Sequence, residues 1–133
     1  MKLPARIFVG SLTLIGVMAI GLVLMAYIEE PKSHFSTYEE LAASDLIAKG
    51  WLPPFLPRSI SDIAETHSID LNSVWVTFKY DLKDISAFES NCKLLVASPS
   101  GRKYVCPPFE KQLTIVILKS NGTGTLETES NEL

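Results

Sequence analysis

His67, Ser68 and Asp70 bring the residue types of a hydrolase into one short stretch. A nucleophile, its base and the carboxylate that orients the base normally come from distant segments, with backbone donors set to receive an oxyanion. Neither a nucleophile elbow nor a suitable glycine pattern accompanies these three residues, so the spacing predicts no hydrolysis. His34 and His67, with Glu65 or Asp70, are metal-ligand types, but no His-x-x-x-His or comparable spacing prearranges them. A turn or surface histidine is the plainer reading. Glu39 and Glu40 are consecutive and point different ways on a helix, which describes a solvated face rather than an acid–base pair. No glycine-rich phosphate loop occurs. What remains is oxidative chemistry: Cys92 and Cys106 are the only cysteines, and an even pair predicts a disulfide if the chain is exported. The absence of Cys-x-x-Cys argues against a thioredoxin-like site and a four-thiolate zinc site. The expectation is a protein without catalytic residues, metal or cofactor.

Compartment then depends on the run Ile7 to Ile28, which holds no charged side chain. Roughly 20 apolar residues cross the hydrocarbon core as a helix, so 7–28 predicts a single transmembrane anchor. Lys2 and Arg6 precede the run, and Glu29 and Glu30 succeed it. The positive-inside bias makes 1–6 a cytoplasmic stub and places the remainder outside a bacterial inner membrane. A cleaved export signal competes for the same stretch, with Ala26 as its small residue. The run exceeds a usual signal core of about 7–15 residues, and Leu24 with Ala26 is a poor cleavage pair. Either reading exports the rest of the chain. Gly10, Gly16, Ala19 and Gly21 avoid the Gly-x-x-x-Gly spacing of packed membrane helices, and the span carries no ionisable group, which leaves a passive tether.

With Lys2 and Arg6 set aside, ten basic and fifteen acidic residues remain, a net charge of −5. That is a poor surface for nucleic acid, and it offers no polybasic patch for anionic lipid. The residues after the anchor suffice for one domain of ordinary size.

Several local signals indicate the elements that would position these groups. Residues 29–36 read as a stalk. Ser36 with Glu39, and Thr37 with Glu40, stand in the capping-box relation, and Gly50 is a matching stop, which predicts a helix over 37–49. Trp51-Leu52-Pro53-Pro54-Phe55-Leu56-Pro57 is barred from regular helix and central strand by its prolines. Trp51, Pro53, Pro54 and Phe55 could dock on a partner, or the segment could fold back as a lid over the core. Residues 60–69 fit both helical and strand spacing. The alternation Val74, Val76, Phe78, Tyr80 is a strand, and turn chemistry at Asp70, Asn72 and Ser73 favours a hairpin of 62–69 with 74–80. Asp81 or Asp84 can cap a short helix that carries Ile85 and Phe88 as far as Ser90.

Leu94–Ala97 and Lys103–Cys106 flank Ser98-Pro99-Ser100-Gly101, a second hairpin turn. Each cysteine lies seven positions from Pro99, which sets the thiols on facing strands and on the same face, within reach of a bridge. Pro107 and Pro108 should end this hairpin. Leu113–Leu118 reads as a central strand buried on both faces, and 120–133 as a polar acidic tail, mostly disordered or a fraying edge. Asn121-Gly122-Thr123 is a glycosylation acceptor only in a eukaryotic host. The predicted fold class is a transmembrane helix followed by a small α+β head over 37–119, its amino-terminal helix packed on a mostly antiparallel sheet of four or five strands.

Gly50-Trp51-Leu52-Pro53, Leu56-Pro57-x-Ser59, Asp62-Ile63, His67 and Asp70-x-Asn72, together with the strand to Tyr80, resemble small exported bacterial proteins named for the YbbD head domain. The resemblance covers roughly 37–90 and departs at Leu71, where the pattern favours a small polar residue. It implies a bacterial envelope protein and no known reaction. The functional expectation is a membrane-anchored, non-enzymatic interaction module, meeting an envelope protein through Trp51–Phe55 or an exposed strand edge. The alternative is a small-molecule-binding domain with Trp75, Tyr80 and His67 lining its pocket.

Overall fold

The computed structural model describes residues 5–29, 32–109 and 112–130, with side-chain surroundings for 9–25, 32–107 and 113–129. Lys2, Glu30, Pro31 and 131–133, and the side chains of Arg6, Ala26, Glu29 and Pro108, lie outside the described residues. The chain forms two units, Met1–Pro31 and Lys32–Leu133, and each is described by itself.

The first unit is helix α1 (Ala5–Glu29). From Val9 to Met25 its large apolar side chains are exposed on every side. Among the described residues no helix is long and apolar enough to cross a membrane. The transmembrane expectation for 7–28 is corrected accordingly.

The second unit is mostly strand: β1 (Lys32–Thr37), β2 (Ser61–Ser68), β3 (Ser73–Lys79), β4 (Lys93–Ser98), β5 (Gly101–Phe109), β6 (Gln112–Lys119) and β7 (Thr123–Ser130). They form one antiparallel sheet in the order β1-β2-β3-β7-β6-β5-β4. Only two helices accompany it among the described residues, α2 (Tyr38–Ala43) and α3 (Ser86–Asn91). The expected α+β head with a helix packed along a four- or five-stranded sheet is therefore corrected to a seven-stranded sheet with two short helical caps.

The helix predicted over 37–49 starts as expected. Thr37 Oγ1 accepts the Glu40 N–H at 3.3 Å, and Glu40 Oε2 accepts the Ser36 N–H at 2.7 Å. It stops at Ser44, whose backbone turns extended and whose hydroxyl donates to the Leu41 carbonyl. A serine so bonded offers the chain an alternative to continued helix. Successive turns then run to Gly50, which adopts φ 81°.

The two hairpins form as the turn chemistry predicts. β2 pairs with β3 around Asn72 at φ 46°, and β4 pairs with β5 with Ser98 opposite Gly101. The stalk reading of 29–36 gives way to edge strand β1, paired through Phe35 to Ile63. Pro107 and Pro108 do not end the second hairpin but sit inside β5, where a register shift between Cys106 and Phe109 takes them out of the ladder. The stretch expected to be a disordered or fraying tail contributes β7, the middle strand, with Leu126 and Thr128 buried. Thr123, Thr125, Glu127 and Glu129 alternate with those inward positions, so low average hydropathy concealed a half-buried strand. Leu113–Leu118 lies beside it rather than at the centre. Thr114, Val116 and Leu118 are buried while Ile117 is 38 % exposed, so that strand is covered on one face only.

The covered face holds the core: Ile63, Val74, Val76, Phe78, Tyr104, Val116, Leu118 and Leu126 pack under Leu41 of α2, Leu52, Leu56 and Ile60 of the proline-bearing loop, and Phe88 of α3. Phe88 stacks between Phe78 and Tyr104 at ring separations of 6.2 and 6.4 Å. Cys92 directly succeeds α3 and is bonded to Cys106 of β5, with Cα atoms 4.1 Å apart, so the helix carrying Phe88 is tied to the sheet it covers. The pairing expected from the symmetric spacing about Pro99 forms, although Cys92 lies just before β4 rather than within it.

Candidate functional site

On β2 the side chains of Ile63, Glu65 and His67 share the covered face, since side chains alternate along a strand. This places a carboxylate in the core. Glu65 is 1 % exposed, and its Oε1 lies 2.6 Å from His67 Nδ1. Its other oxygen is buried without a hydrogen-bond partner. Burial, which disfavours the charged form, pushes the Glu65 carboxyl above its ordinary range, and the hydrogen bond and charge of His67 oppose that shift.

Trp51 reaches His67 from the loop, ring centroids 4.4 Å apart and planes 32° to one another. A cavity of about 260 Å³ opens beside the pair, floored by Ser33 and Phe35 of β1 with His67, and walled by Leu46, Lys49 and Trp51. Lys49 pairs with Asp45 at 3.5 Å on the exposed rim. Chemically, the carboxylate fixes the imidazole's orientation and can hold or take its proton, an arrangement that steadies histidines acting on ligands. Among the described residues no group of three or more His, Cys, Asp or Glu side chains could hold a metal ion.

The structure separates the other sequence candidates. His34 faces solvent, with Nε2 2.9 Å from Asp62 Oδ1, and Lys79 Nζ lies 2.9 Å from the second Asp62 oxygen. Those hydrogen bonds, Lys79 first, hold the Asp62 carboxyl below its ordinary value. Ser68 is buried at the β2–β3 turn and receives the Leu71 N–H, while Asp70 is exposed. Trp75 projects from the opposite face and donates Nε1–H to Glu127 at 2.9 Å. Tyr80 donates its hydroxyl to the Lys119 carbonyl. Trp75, Tyr80 and His67 therefore do not share a pocket. The Trp51–Pro57 segment folds back over the core, with Leu52, Pro53, Leu56 and Pro57 buried, Trp51 and Phe55 half-buried and Pro54 exposed.

Two features escaped sequence reasoning. Glu65 was weighed only as a metal-ligand type and its burial was not foreseen, because an acidic residue in an alternating strand is ordinarily assigned to solvent, although its i,i+2 spacing to His67 was visible. The outer strand β4 leaves Leu94, Leu95 and Val96 46 %, 50 % and 55 % exposed. The run Leu-Leu-Val-Ala was the available signal, but it reads as core until the strand is known to be at an edge.

Residues 29–79 match the YbbD head domain model. The match takes in β1, α2, the covering loop, β2 and β3, and with them Trp51, Glu65 and His67. It begins earlier than the resemblance read from motifs and ends before α3, so neither cysteine and none of β4–β7 belongs to the YbbD-head segment. The match suggests an envelope-associated domain. No curated protein and no solved structure matches the chain.

Proposed function

We propose that the body formed by 32–130 is a non-enzymatic interaction module of the bacterial cell envelope, and that it meets a partner protein along β4. The observation that carries this reading is the edge itself: Leu94, Leu95 and Val96 stand about half exposed on a strand with no outer neighbour among the described residues. Contiguous exposed apolar groups of this kind mark interaction sites. A register shift between Leu94 and Val96 distorts the strand, and such bulges discourage addition of a further strand. Docking therefore rests on the three side chains, and the partner supplies an apolar groove.

The YbbD-head segment supports an envelope setting, and the Cys92–Cys106 bridge supports an oxidising compartment. A photo-crosslinker at Leu95 in the full chain, activated in native membranes, tests the reading. A discrete protein adduct that disappears in Leu94→Lys/Val96→Glu is expected, and absence of any adduct would refute docking at β4.

The cavity beside His67 favours a second reading, binding of a small molecule on the other side of the sheet. A compound that raises the melting temperature of the wild type but not of Trp51→Ala would select it.

A further inference from the structure

The elements that cover the sheet all lie on one side, because Leu41 of α2, Leu52 and Leu56 of the loop and Phe88 of α3 belong to the core. The other face is uncovered among the described residues of this unit. Cross-strand register places one row there from Trp75 through Glu127, Ile115 and Val105 to Lys93, and a second row from Thr77 through Thr125, Ile117 and Lys103 to Val96. Apolar groups thus hold the middle, carboxylates the β7 side and ammonium groups the β5–β4 side. Ile117 and Val96 also line a concavity of about 320 Å³ with Lys103 and Lys119.

We propose that this face is closed by the same face of a second copy, so that two sheets form a sandwich about a two-fold axis running along β6. The arrangement is self-complementary. With the axis over β6, Ile115 and Ile117 meet their own counterparts. β7 then lies over β5 of the second copy and β3 over β4, each row keeping its level, so Trp75 covers Lys93, Thr77 covers Val96, and Glu127 lies over Val105 between Lys93 and Lys103. Opposite charges meet and like charges do not, which specifies this register.

The area suffices. Five strands spaced about 4.8 Å apart, each contributing about eight residues of 3.4 Å, give a footprint of roughly 650 Å² per copy. The pair buries roughly 1,300 Å², within the range of stable interfaces, with the apolar centre and charged rim such interfaces carry. The sandwich covers Val96 but not Leu94, which lies opposite the inward-facing Tyr104, so docking at β4 in the dimer rests on Leu94, Leu95 and the outer edge of the strand.

The test uses the full chain in detergent and in membranes. Ile117→Cys, on the axis, is expected to give a dimer-sized band on mild oxidation without reductant, whereas Leu82→Cys, exposed in a loop away from the sheet face, is not. By light scattering, Lys103→Glu is expected to weaken dimerisation at least about tenfold by setting two carboxylates together, and Lys103→Glu/Glu127→Lys to restore it. Light scattering of the wild type is independent of how any variant folds. A monomeric wild type up to micromolar concentration, an Ile117→Cys band no stronger than that of Leu82→Cys, or a photo-crosslinker at Ile117 that captures lipid or another protein would each overturn the proposal. None of these results would bear on a Leu95 adduct, so failure of the sandwich and failure of β4 docking are separately visible.

Discussion

Glu65 has no counterpart among the exposed carboxylates, because its charge must be held inside the core with one oxygen unpartnered. Burial raises its pKa above the ordinary value of 4.5, so the folded state keeps a proton that the unfolded chain has already released. The stability this supplies is full below that ordinary value and is lost as pH rises through the raised folded value. Glu65→Gln cannot ionise, and its amide can still bond His67. The melting-temperature difference, variant minus wild type, is therefore expected to grow in the variant's favour from about pH 5 to about pH 8, and calorimetry at stepped pH checks it. A difference independent of pH would show that Glu65 does not titrate against folding. Asp62 acts in another window with the opposite sign. Its pKa is lowered below 3.8 by Lys79 and His34, so its contribution is present above that value and disappears in acid. At this scale the sequence disclosed residue types but not partners: His67 is bonded to the carboxylate two positions away on its own strand, while His34 is paired with Asp62 across a bulge.

Local rules were most legible where the chain turns. Thr37 caps α2 as the Thr-x-x-Glu spacing requires, and Thr37→Ala is expected to cost about 1 kcal/mol in chemical denaturation. The Ser98–Gly101 turn was read correctly, and the structure adds why its last residue is glycine. Gly101 has φ 154°, and a Cβ there would collide with the Leu118 carbonyl oxygen. Gly101→Ala is therefore expected to destabilise the fold by roughly 1–3 kcal/mol, more than Ser100→Ala beside it, and equal effects of the two would contradict this account. What escaped local reading was decided by pairing between distant segments. The 32–37 stretch is a strand because Phe35 lies opposite Ile63 and packs against the core. Residues 123–130 form a strand because β3 and β6 both need a neighbour. Neither partner is visible within a short window.

Across the whole unit, the disulfide links the second hairpin to the helix that covers it. Cys92→Ser/Cys106→Ser closes no loop in the unfolded chain and is expected to lower stability by roughly 3 kcal/mol in the chain-entropy account. Denaturant unfolding with and without reductant measures the same quantity on the wild type. Acid-quenched alkylation should find no free thiol until reductant is added. The fold class was the least legible level, because the count of helix signals was right but their lengths were not, and two of the seven strands were assigned to stalk and tail. The position of β7 also bears on synthesis. The ribosome releases β1 to β3 and then β4 to β6 as two half-sheets, each with a raw edge at β3 or β6 that only β7 can join. The unit therefore cannot close progressively behind the moving chain, and folding must wait for its last strand. A nascent chain stalled at Gly122 should remain protease-sensitive, and extension through Ser130 should confer resistance in one step; a chain that is resistant without β7 would show that the half-sheets stand alone. A polypeptide built this way stays threadable until β7 has been made, the condition any narrow translocation pore imposes on its passengers.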